Sequence, residues 1–434
     1  MTTAQVGYAH VHRWVKPVLS SMHTTVVVTV AWAVLCLLAA QRVTPAALAR
    51  ALPGEHAGSG RSCLRRVRRW WSGPALDQTT ISPALIRLAL ALLPGDQLVV
   101  VALDTTRLGG WEVWLAGIVV VGRTLPIGWA VIPYPWPKGR FRTTTLGLTQ
   151  QLQPAFPAGV RWTLVADRGF PSAALFAQLR QGDTDFSVRL RLSDWVTVGG
   201  VYTTVATHLA AGGLVVGRRT AATIGRGRPD QPLVPGWVVV SAAVAALPPH
   251  NQNPGTMRER GKRAKAHAQH RAHKQGRKTK PPSTAAQRYA QTWVLFTTAP
   301  RVAQAVAEYA QRMSIEETFR DWHSGWGVRA AVVDLPTEAM VARLIGVVCL
   351  TYSLQMHLGQ RVSTDPVAQR RRVQWTVTDR VSWFWCGQRL FGDSGYEWSG
   401  WLAQQWEHLG RPVAAAPATL VPESALEPVL EEAA

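Results

Sequence analysis

The pattern of apolar and polar positions divides the 434-residue chain into segments of different type. The first, 1–95, is predicted to be helical because apolar residues fill 24–40 and 45–52. The stretch that follows these runs places arginines beside two tryptophans: Arg65, Arg68, Arg69, Trp70 and Trp71. A basic helix face can be merely a solvated surface, but beside aromatic residues it favours a small helical DNA-binding domain at 1–95.

After this helical segment the pattern changes to short apolar runs of strand length. The expected order is three strands in a meander, a helix, a fourth strand, a second helix and a further strand. These elements are expected at 96–106, 111–122, 123–134, 143–156, 160–170, 171–181 and 185–198. The order βββαβα predicts an α/β fold with a ribonuclease-H-like catalytic core, and 96–190 would form its first part.

A β-rich insertion is expected at 191–289, where the sequence is strand-like and rich in glycine. It contains a basic stretch, 258–280, with ten Lys or Arg and one Glu. Such a composition predicts disorder in the free protein and contacts with DNA phosphates when bound. Lys262, Arg263 and Lys265 are the named candidates for these contacts.

The remainder of the chain is predicted to be mostly helical after one strand at about 290–297. The second part of the core would occupy 290–360, with helices at 300–323 and 336–361. A helical C-terminal region at 361–410 is a candidate for dimerisation. The final stretch, 411–434, is rich in Ala, Pro and Glu and is predicted to be a disordered tail.

The composition narrows the class of partner. Lys plus Arg number 47 against 26 Asp plus Glu, a formal net charge of +21, which favours a polyanion such as nucleic acid. An anionic membrane is the alternative, but the apolar run 24–40 is short for a span, and a buried core helix is the expectation. The four cysteines show no metal-ligand or redox spacing, which favours a reducing, cytoplasmic location.

Three acidic residues are candidates for chemistry because of where they lie. Asp104 is expected to end the first core strand, Asp167 the fourth, and Glu316 lies on a later helix. A carboxylate after an apolar strand is costly to bury without a partner, and a divalent cation is one possible partner. Each residue alone is more often a turn or surface residue, so the argument depends on their joint placement.

The motifs around these residues resemble one group of bacterial insertion-sequence DDE transposases. The spacing Tyr309-x2-Arg312-x3-Glu316-x6-His323 is similar to the Y-x2-R-x3-E-x6-K signature of that group. The stretches VALDTT and LVADRGF resemble its two Asp-bearing strands, and GRTLPIGWAVI resembles its second and third strands. The resemblance covers about 95–360.

The resemblance implies a DNA transposase that cleaves the ends of an insertion sequence and joins the freed 3′-hydroxyl to target DNA. Asp104, Asp167 and Glu316 would bind two Mg²⁺ or Mn²⁺ ions, which activate the nucleophile and stabilise the leaving oxygen. Glu317 is expected to face away from these ions. The partners would be double-stranded DNA and a second copy of the chain, in a bacterial cytoplasm and at the nucleoid when bound, without a membrane.

Further DNA contacts follow from the same resemblance. Tyr309 and Arg312 would contact phosphates near the cleavage point, and Trp293 would stack on a base flipped from the duplex, unless it is a core residue. Arg168 is also expected at the DNA. The family's Lys is His323 here, which titrates near neutral pH and reaches less far, so Arg320 is a candidate to supply the charge.

Two other functions fit the same residues. A ribonuclease-H-like nuclease would share the three carboxylates without joining strands. A catalytically inactive DNA-binding derivative would bind DNA ends without cutting them, although the intact set of carboxylates argues against it.

Overall fold

The computed structural model describes residues 3–52, 59–73, 76–93, 98–241, 292–333, 335–366 and 382–392. The predictions for 258–280, with Lys262, Arg263 and Lys265, and for the tail at 411–434 lie outside these residues. The helices are α1 (Thr3–Val18), α2 (Thr24–Ala40), α3 (Pro45–Arg50), α4 (Gly60–Trp71), α5 (Gln78–Leu90), α6 (Arg140–Leu152), α7 (Ala173–Gln181), α8 (Val205–Ala210), α9 (Val302–Ala310), α10 (Met313–Arg320), α11 (Val328–Val332), α12 (Glu338–Thr364) and α13 (Trp383–Gly392). The strands are β1 (Val99–Leu108), β2 (Trp111–Val120), β3 (Arg123–Pro133), β4 (Trp162–Ala166), β5 (Asp185–Arg189), β6 (Trp195–Val198), β7 (Val201–Thr204), β8 (Arg219–Ile224), β9 (Val234–Val240) and β10 (Val294–Thr297).

Capping residues begin helices α2 to α5 of the N-terminal segment. Thr44 caps α3 with Pro45 in the first turn, and the Asp77 carboxylate accepts a bond from the Thr79 amide at the start of α5. In α4 one face is buried, while Arg65, Arg68 and Arg69 are exposed on the other. The predicted helical character of this segment and the basic face of α4 are therefore present.

A single ten-stranded sheet has the order β3-β2-β1-β4-β5-β10-β9-β8-β6-β7. The strands β1, β2 and β3 are antiparallel neighbours, whereas β4 runs parallel to β1 and β5 runs parallel to β4. Strand β10 comes late in the sequence but pairs directly with β5. The mixed α/β architecture that the sequence predicted is confirmed.

Strands from the predicted insertion extend this sheet on the far side of β10. Strand β9 pairs with β10, and at their shared end the Ser241 amide donates to the Trp293 carbonyl at 2.8 Å. The Trp293 amide in turn donates to Ser241 Oγ at 2.8 Å. Ser241, which follows β9, and Trp293, which precedes β10, are therefore held together by two hydrogen bonds.

Two predicted elements differ from the structure. The strand expected at 185–198 is two strands, β5 and β6, because the chain turns where the Asp194 carboxylate accepts from the Arg191 amide. The helix expected at 300–323 is broken after α9 at 311–312, and α10 then continues into a π-helical turn, Asp321–Trp326. π-helical turns are uncommon and frequent at functional sites.

The hydrophobic core is continuous from the N-terminal helices to the sheet. Helix α12 lies within it and is, among the described residues, long and apolar enough to cross a membrane by length and composition. However, 83% of its most apolar window is buried inside the protein, as expected for a core helix. Helix α2 is likewise buried along most of its length. All four cysteines are free and buried.

Candidate active site

Two neighbouring parallel strands bring the aspartates together. The pairing of β1 with β4 ends at Leu103 and Ala166, so Asp104 and Asp167 are the next residues on adjacent strands. Neighbouring strands lie about 4.8 Å apart, which is close enough for two carboxylates to share a cation. The expectation that Asp104 ends its strand is wrong, because β1 continues to Leu108 in pairing with β2.

Arg312 links the third acidic residue to this pair. Its Nη1 donates to Asp104 Oδ2 at 2.8 Å, and its Nη2 donates to Glu316 Oε1 at 2.5 Å. The Arg312 side chain is only 7% exposed, against 18% for Asp104 and 41% for Glu316. The guanidinium is therefore buried, whereas the Glu316 carboxylate that it binds is accessible to solvent and ligands.

Tyr309 contacts the second aspartate. Its hydroxyl donates to Asp167 Oδ1 at 3.2 Å, and burial raises the pKa of the phenol. The Tyr309 ring packs edge-on against Trp293, with ring centroids 4.8 Å apart. Trp293 is buried in this arrangement, so its indole face is packed rather than presented to a DNA base.

Burial and neighbouring charge act on Asp104. Burial raises its pKa to about 6, the Arg312 guanidinium and the Thr105 amide oppose this rise, and the Glu316 and Asp167 charges add to it. This repulsion indicates that the carboxylates of Asp167 and Glu316 lie near that of Asp104. A raised pKa at a clustered carboxyl is typical of a functional site.

Glu317 has different partners from its neighbour. It forms an ion pair with Arg320, and Arg123 Nη2 lies 4.0 Å from its Oε2. Arg320 is exposed and is bound to Glu317 rather than to the aspartates. The two adjacent glutamates thus bind different cations. Glu316 binds Arg312, which also binds Asp104, whereas Glu317 binds Arg320.

His323 lies against the first aspartate's strand. Its Nε2 is 3.0 Å from Thr106 Oγ1, two residues beyond Asp104 on β1. Burial and the nearby Arg329 charge lower its pKa, which favours a neutral ring at neutral pH. This half-buried imidazole therefore differs in charge as well as in reach from the lysine of the Y-R-E-K signature.

A buried polar cluster fixes the end of α10, and sequence reasoning missed it. Arg123 Nε donates to Asp321 Oδ2 at 2.8 Å, and the Tyr352 hydroxyl donates to the same oxygen at 3.0 Å. On the same side of α10, the Thr124 amide donates to Thr318 Oγ1 at 2.9 Å. The cluster ties β3 and α12 to the helix that carries Glu316, and no local spacing pattern indicates it.

An aromatic–arginine surface near the second aspartate was also missed. Trp195 is 46% exposed, and its ring centroid lies 5.0 Å from that of Tyr202. The Tyr202 hydroxyl accepts a hydrogen bond from Arg226 Nε at 3.0 Å. These rings line a pocket of about 180 Å³ together with Pro171, four residues after Asp167. The exposed Arg168 lies in the same loop as Asp167. A Trp among polar residues in a strand was the available signal.

The donor set suits a hard divalent cation, but the arrangement is not closed around one. Carboxylate oxygens are the ligands that Mg²⁺ and Mn²⁺ prefer, and Asp104, Asp167 and Glu316 supply them. Within the described residues, no group of three or more acidic, His or Cys side chains is drawn together tightly enough to hold a metal ion. Arg312 bonds to both Asp104 and Glu316.

One family model matches part of this chain. A family model described as the transposase DDE domain matches residues 142–354. The matched region contains Asp167 and Glu316, whereas Asp104 precedes it. The match supports a DDE transposase, an enzyme class that acts on DNA and generally uses divalent metal ions. No curated protein matches the chain.

Proposed function

We propose that this protein is an insertion-sequence transposase that cleaves DNA at the element's ends and joins the 3′-hydroxyl to target DNA. The observation that carries this proposal is the register of β1 and β4, which makes Asp104 and Asp167 neighbours at one end of the sheet. Glu316 faces the same place, since Arg312 bonds to both Asp104 and Glu316. Asp104, Asp167 and Glu316 are the proposed catalytic residues.

These carboxylates would hold two Mg²⁺ or Mn²⁺ ions, which supply the charge for activating the attacking oxygen and stabilising the leaving oxygen. Tyr309 and Arg312 lie beside the carboxylates and would contact the phosphates on either side of the reacting bond. An arginine suits this role because its planar fork matches phosphate oxygens. The spacing of these residues supports membership of the Y-R-E-K group, with His323 in place of its lysine.

The strand order β3-β2-β1-β4-β5 supports a ribonuclease-H-like core, because the first three strands are antiparallel and the next two are parallel. In this proposal β6–β9 belong to an insertion that enlarges the same sheet. The exposed face of α4 and the stretch 258–280 would bind DNA outside the active site. A second copy of the chain would assemble with it on paired DNA ends in the cytoplasm.

The testing experiment is incubation of the protein with the DNA that flanks its own gene, with Mg²⁺ and a supercoiled target. Transposition predicts cuts at two fixed positions and a covalently joined product, both absent from the Asp167→Asn variant. Cuts without joined product would favour a ribonuclease-H-like nuclease. End binding without any cut would favour an inactive DNA-binding derivative.

A further inference from the structure

Arg312 makes more contacts with the proposed metal ligands than any other described cation. It bonds to Asp104 Oδ2 at 2.8 Å and to Glu316 Oε1 at 2.5 Å, and the second oxygen of Asp104 accepts from the Thr105 amide at 2.8 Å. Each oxygen of Asp104 therefore already accepts one hydrogen bond. The oxygen bound by the guanidinium is Oδ2, and the same guanidinium binds Glu316.

A divalent ion cannot join these two carboxylates while Arg312 stays in place. Magnesium requires its oxygen ligands at about 2.0–2.1 Å and a near-octahedral shell. The Arg312 Nη1 and Nη2 atoms lie within hydrogen-bonding distance of one oxygen of each carboxylate, so they take up space that an ion joining the two groups would need. A metal ion and the Arg312 guanidinium at this position would also repel each other, because little water screens their charges in a buried site.

Within the described part of the chain, Arg312 has an unsatisfied hydrogen-bond donor, which favours movement of its side chain to a partner with more acceptor oxygens. Its Nε is buried and finds no hydrogen-bond partner among the described residues, and an unmet buried donor is destabilising. A DNA phosphate offers oxygens to several guanidinium donors at once. Arg312 also lies at the break between α9 and α10, so rotation of its side chain requires no change in a helix interior.

We propose that Arg312 occupies the metal position in the DNA-free protein and must transfer to a DNA phosphate before a divalent ion binds Asp104 and Glu316 together. Metal binding at the active site is then coupled to DNA binding, and the free protein is held inactive. This inference rests on the proposed function, because it takes Asp104 and Glu316 as metal ligands. It adds a positioning role that a simple phosphate contact does not include.

The test measures Mn²⁺ binding to the DNA-free protein by electron paramagnetic resonance, which counts free ion and does not depend on activity. We expect Arg312→Met to bind Mn²⁺ at least tenfold more tightly than the unchanged protein. Arg320→Met is the matched control, because it removes the same charge at the far end of α10 from a side chain that binds Glu317 and not Asp104, and we expect less than a twofold change. The Asp104→Asn/Glu316→Gln double variant defines binding elsewhere.

A second variant separates bridging from charge. Arg312→Lys keeps the charge, but one ammonium cannot hold both carboxylates as a planar fork does. We therefore expect an Mn²⁺ affinity between those of the unchanged protein and Arg312→Met. This variant also carries the test if Arg312→Met fails to fold, which a melting curve will show.

The role of DNA follows from reciprocity. If a duplex raises the Mn²⁺ affinity of the active site, Mn²⁺ must raise duplex affinity by the same factor. Fluorescence anisotropy with a short duplex should show this gain in the unchanged protein and not in Arg312→Met, each relative to Asp104→Asn/Glu316→Gln.

The outcomes are distinguishable. Equal Mn²⁺ affinity in the unchanged protein, Arg312→Lys and Arg312→Met would overturn the inference while leaving the metal site intact. If the unchanged protein and the Arg312 variants bind Mn²⁺ no more tightly than Asp104→Asn/Glu316→Gln does, the proposed metal site fails and the inference fails with it. A gain in Arg320→Met as large as that in Arg312→Met would assign the effect to net charge and overturn the inference.

Discussion

The adjacent glutamates of α10 differ in what they touch, although both are acidic and both lie in one helical turn. Glu316 is bound by Arg312, whereas Glu317 is bound by Arg320 and lies near Arg123. We expect Glu316→Gln to lower DNA cleavage by about 100-fold or more, as removal of a group that stabilises charge in the transition state does. Gel assays of end cleavage with Mg²⁺ measure this change.

The matched control is Glu317→Gln, which makes the same chemical change one residue away. It should retain cleavage within a few-fold, because Glu317 does not contact the aspartates. The reverse result, with activity lost only in Glu317→Gln, would mean that the metal-facing side of α10 has been assigned one residue out of register.

The lowered pKa of His323 predicts a contribution to the pH dependence of stability. Its folded-state pKa lies below the ordinary value of about 6.5 because the ring is partly buried and near Arg329. The unfolded chain therefore binds the proton more readily, so this contribution is present above that ordinary value and is lost as the pH falls through the lowered pKa. Urea unfolding of His323→Gln at several pH values should show a weaker loss of stability on acidification than the unchanged protein; equal losses would contradict the assignment.

At the scale of elements, the pair Arg123–Asp321 fixes the end of α10 against β3. Both side chains are 5% exposed. Arg123→Met leaves Asp321 buried without its cation, and we expect a loss of about 3–5 kcal/mol in the free energy of unfolding. The Arg123→Met/Asp321→Leu double variant should recover most of that loss, because removing both partners leaves no unpaired charge. Chemical denaturation of both variants measures this, and additive losses would argue against a coupled pair.

Helices α12 and α13 pack closely enough that two glycines are required. A Cβ on Gly359 would lie 1.7 Å from the Trp383 carbonyl oxygen, and one on Gly387 would lie 2.2 Å from the Gln355 carbonyl oxygen. We expect Gly359→Ala to lower stability by about 1–3 kcal/mol or more, since backbone must move. Gly147→Ala, in the exposed part of α6 with nothing near its Cβ, should instead raise stability by about 0.5–1 kcal/mol. Melting temperatures of the two variants should therefore move in opposite directions.

The elements also show which parts of the site a sequence can predict. Asp104 and Asp167 each come directly after a run of apolar strand residues, and this local pattern can be read from the sequence. The structure adds that the two strands are parallel neighbours and that β1 continues beyond Asp104. The contact of Arg123 with Asp321 joins residues 198 positions apart, and no periodicity relates them. The break at 311–312 and the π-helical turn after α10 likewise depend on tertiary packing rather than on helix propensity.

At the scale of the whole molecule, the charge of +21 is unevenly distributed along the chain, with ten Lys or Arg in 258–280. Because Ser241 and Trp293 are bonded to each other, the intervening residues can be shortened without separating β9 from β10. We expect replacement of 242–292 by Asn-Gly, a favoured two-residue hairpin turn, to leave the melting temperature within a few degrees. Duplex DNA affinity should fall, and its dependence on salt should weaken by several units of log–log slope.

The control for this replacement is a full-length variant with the ten basic residues of 258–280 changed to Gln. It should reproduce the change in salt dependence without altering the length of the chain. If the shortened protein keeps the full salt slope, the basic stretch does not contact phosphates, and the charge on α4 must supply the binding.

The hydrogen bonds between Ser241 and Trp293 affect which insertions and deletions this protein can tolerate during evolution. A stretch whose two ends are already held together adds a closure cost that grows only with the logarithm of its length, about 0.6 kcal/mol for each doubling. Duplications and deletions between these two residues therefore face little selection from folding. Homologous chains are therefore expected to vary in the length and charge of this stretch while the carboxylate-bearing strands stay unchanged.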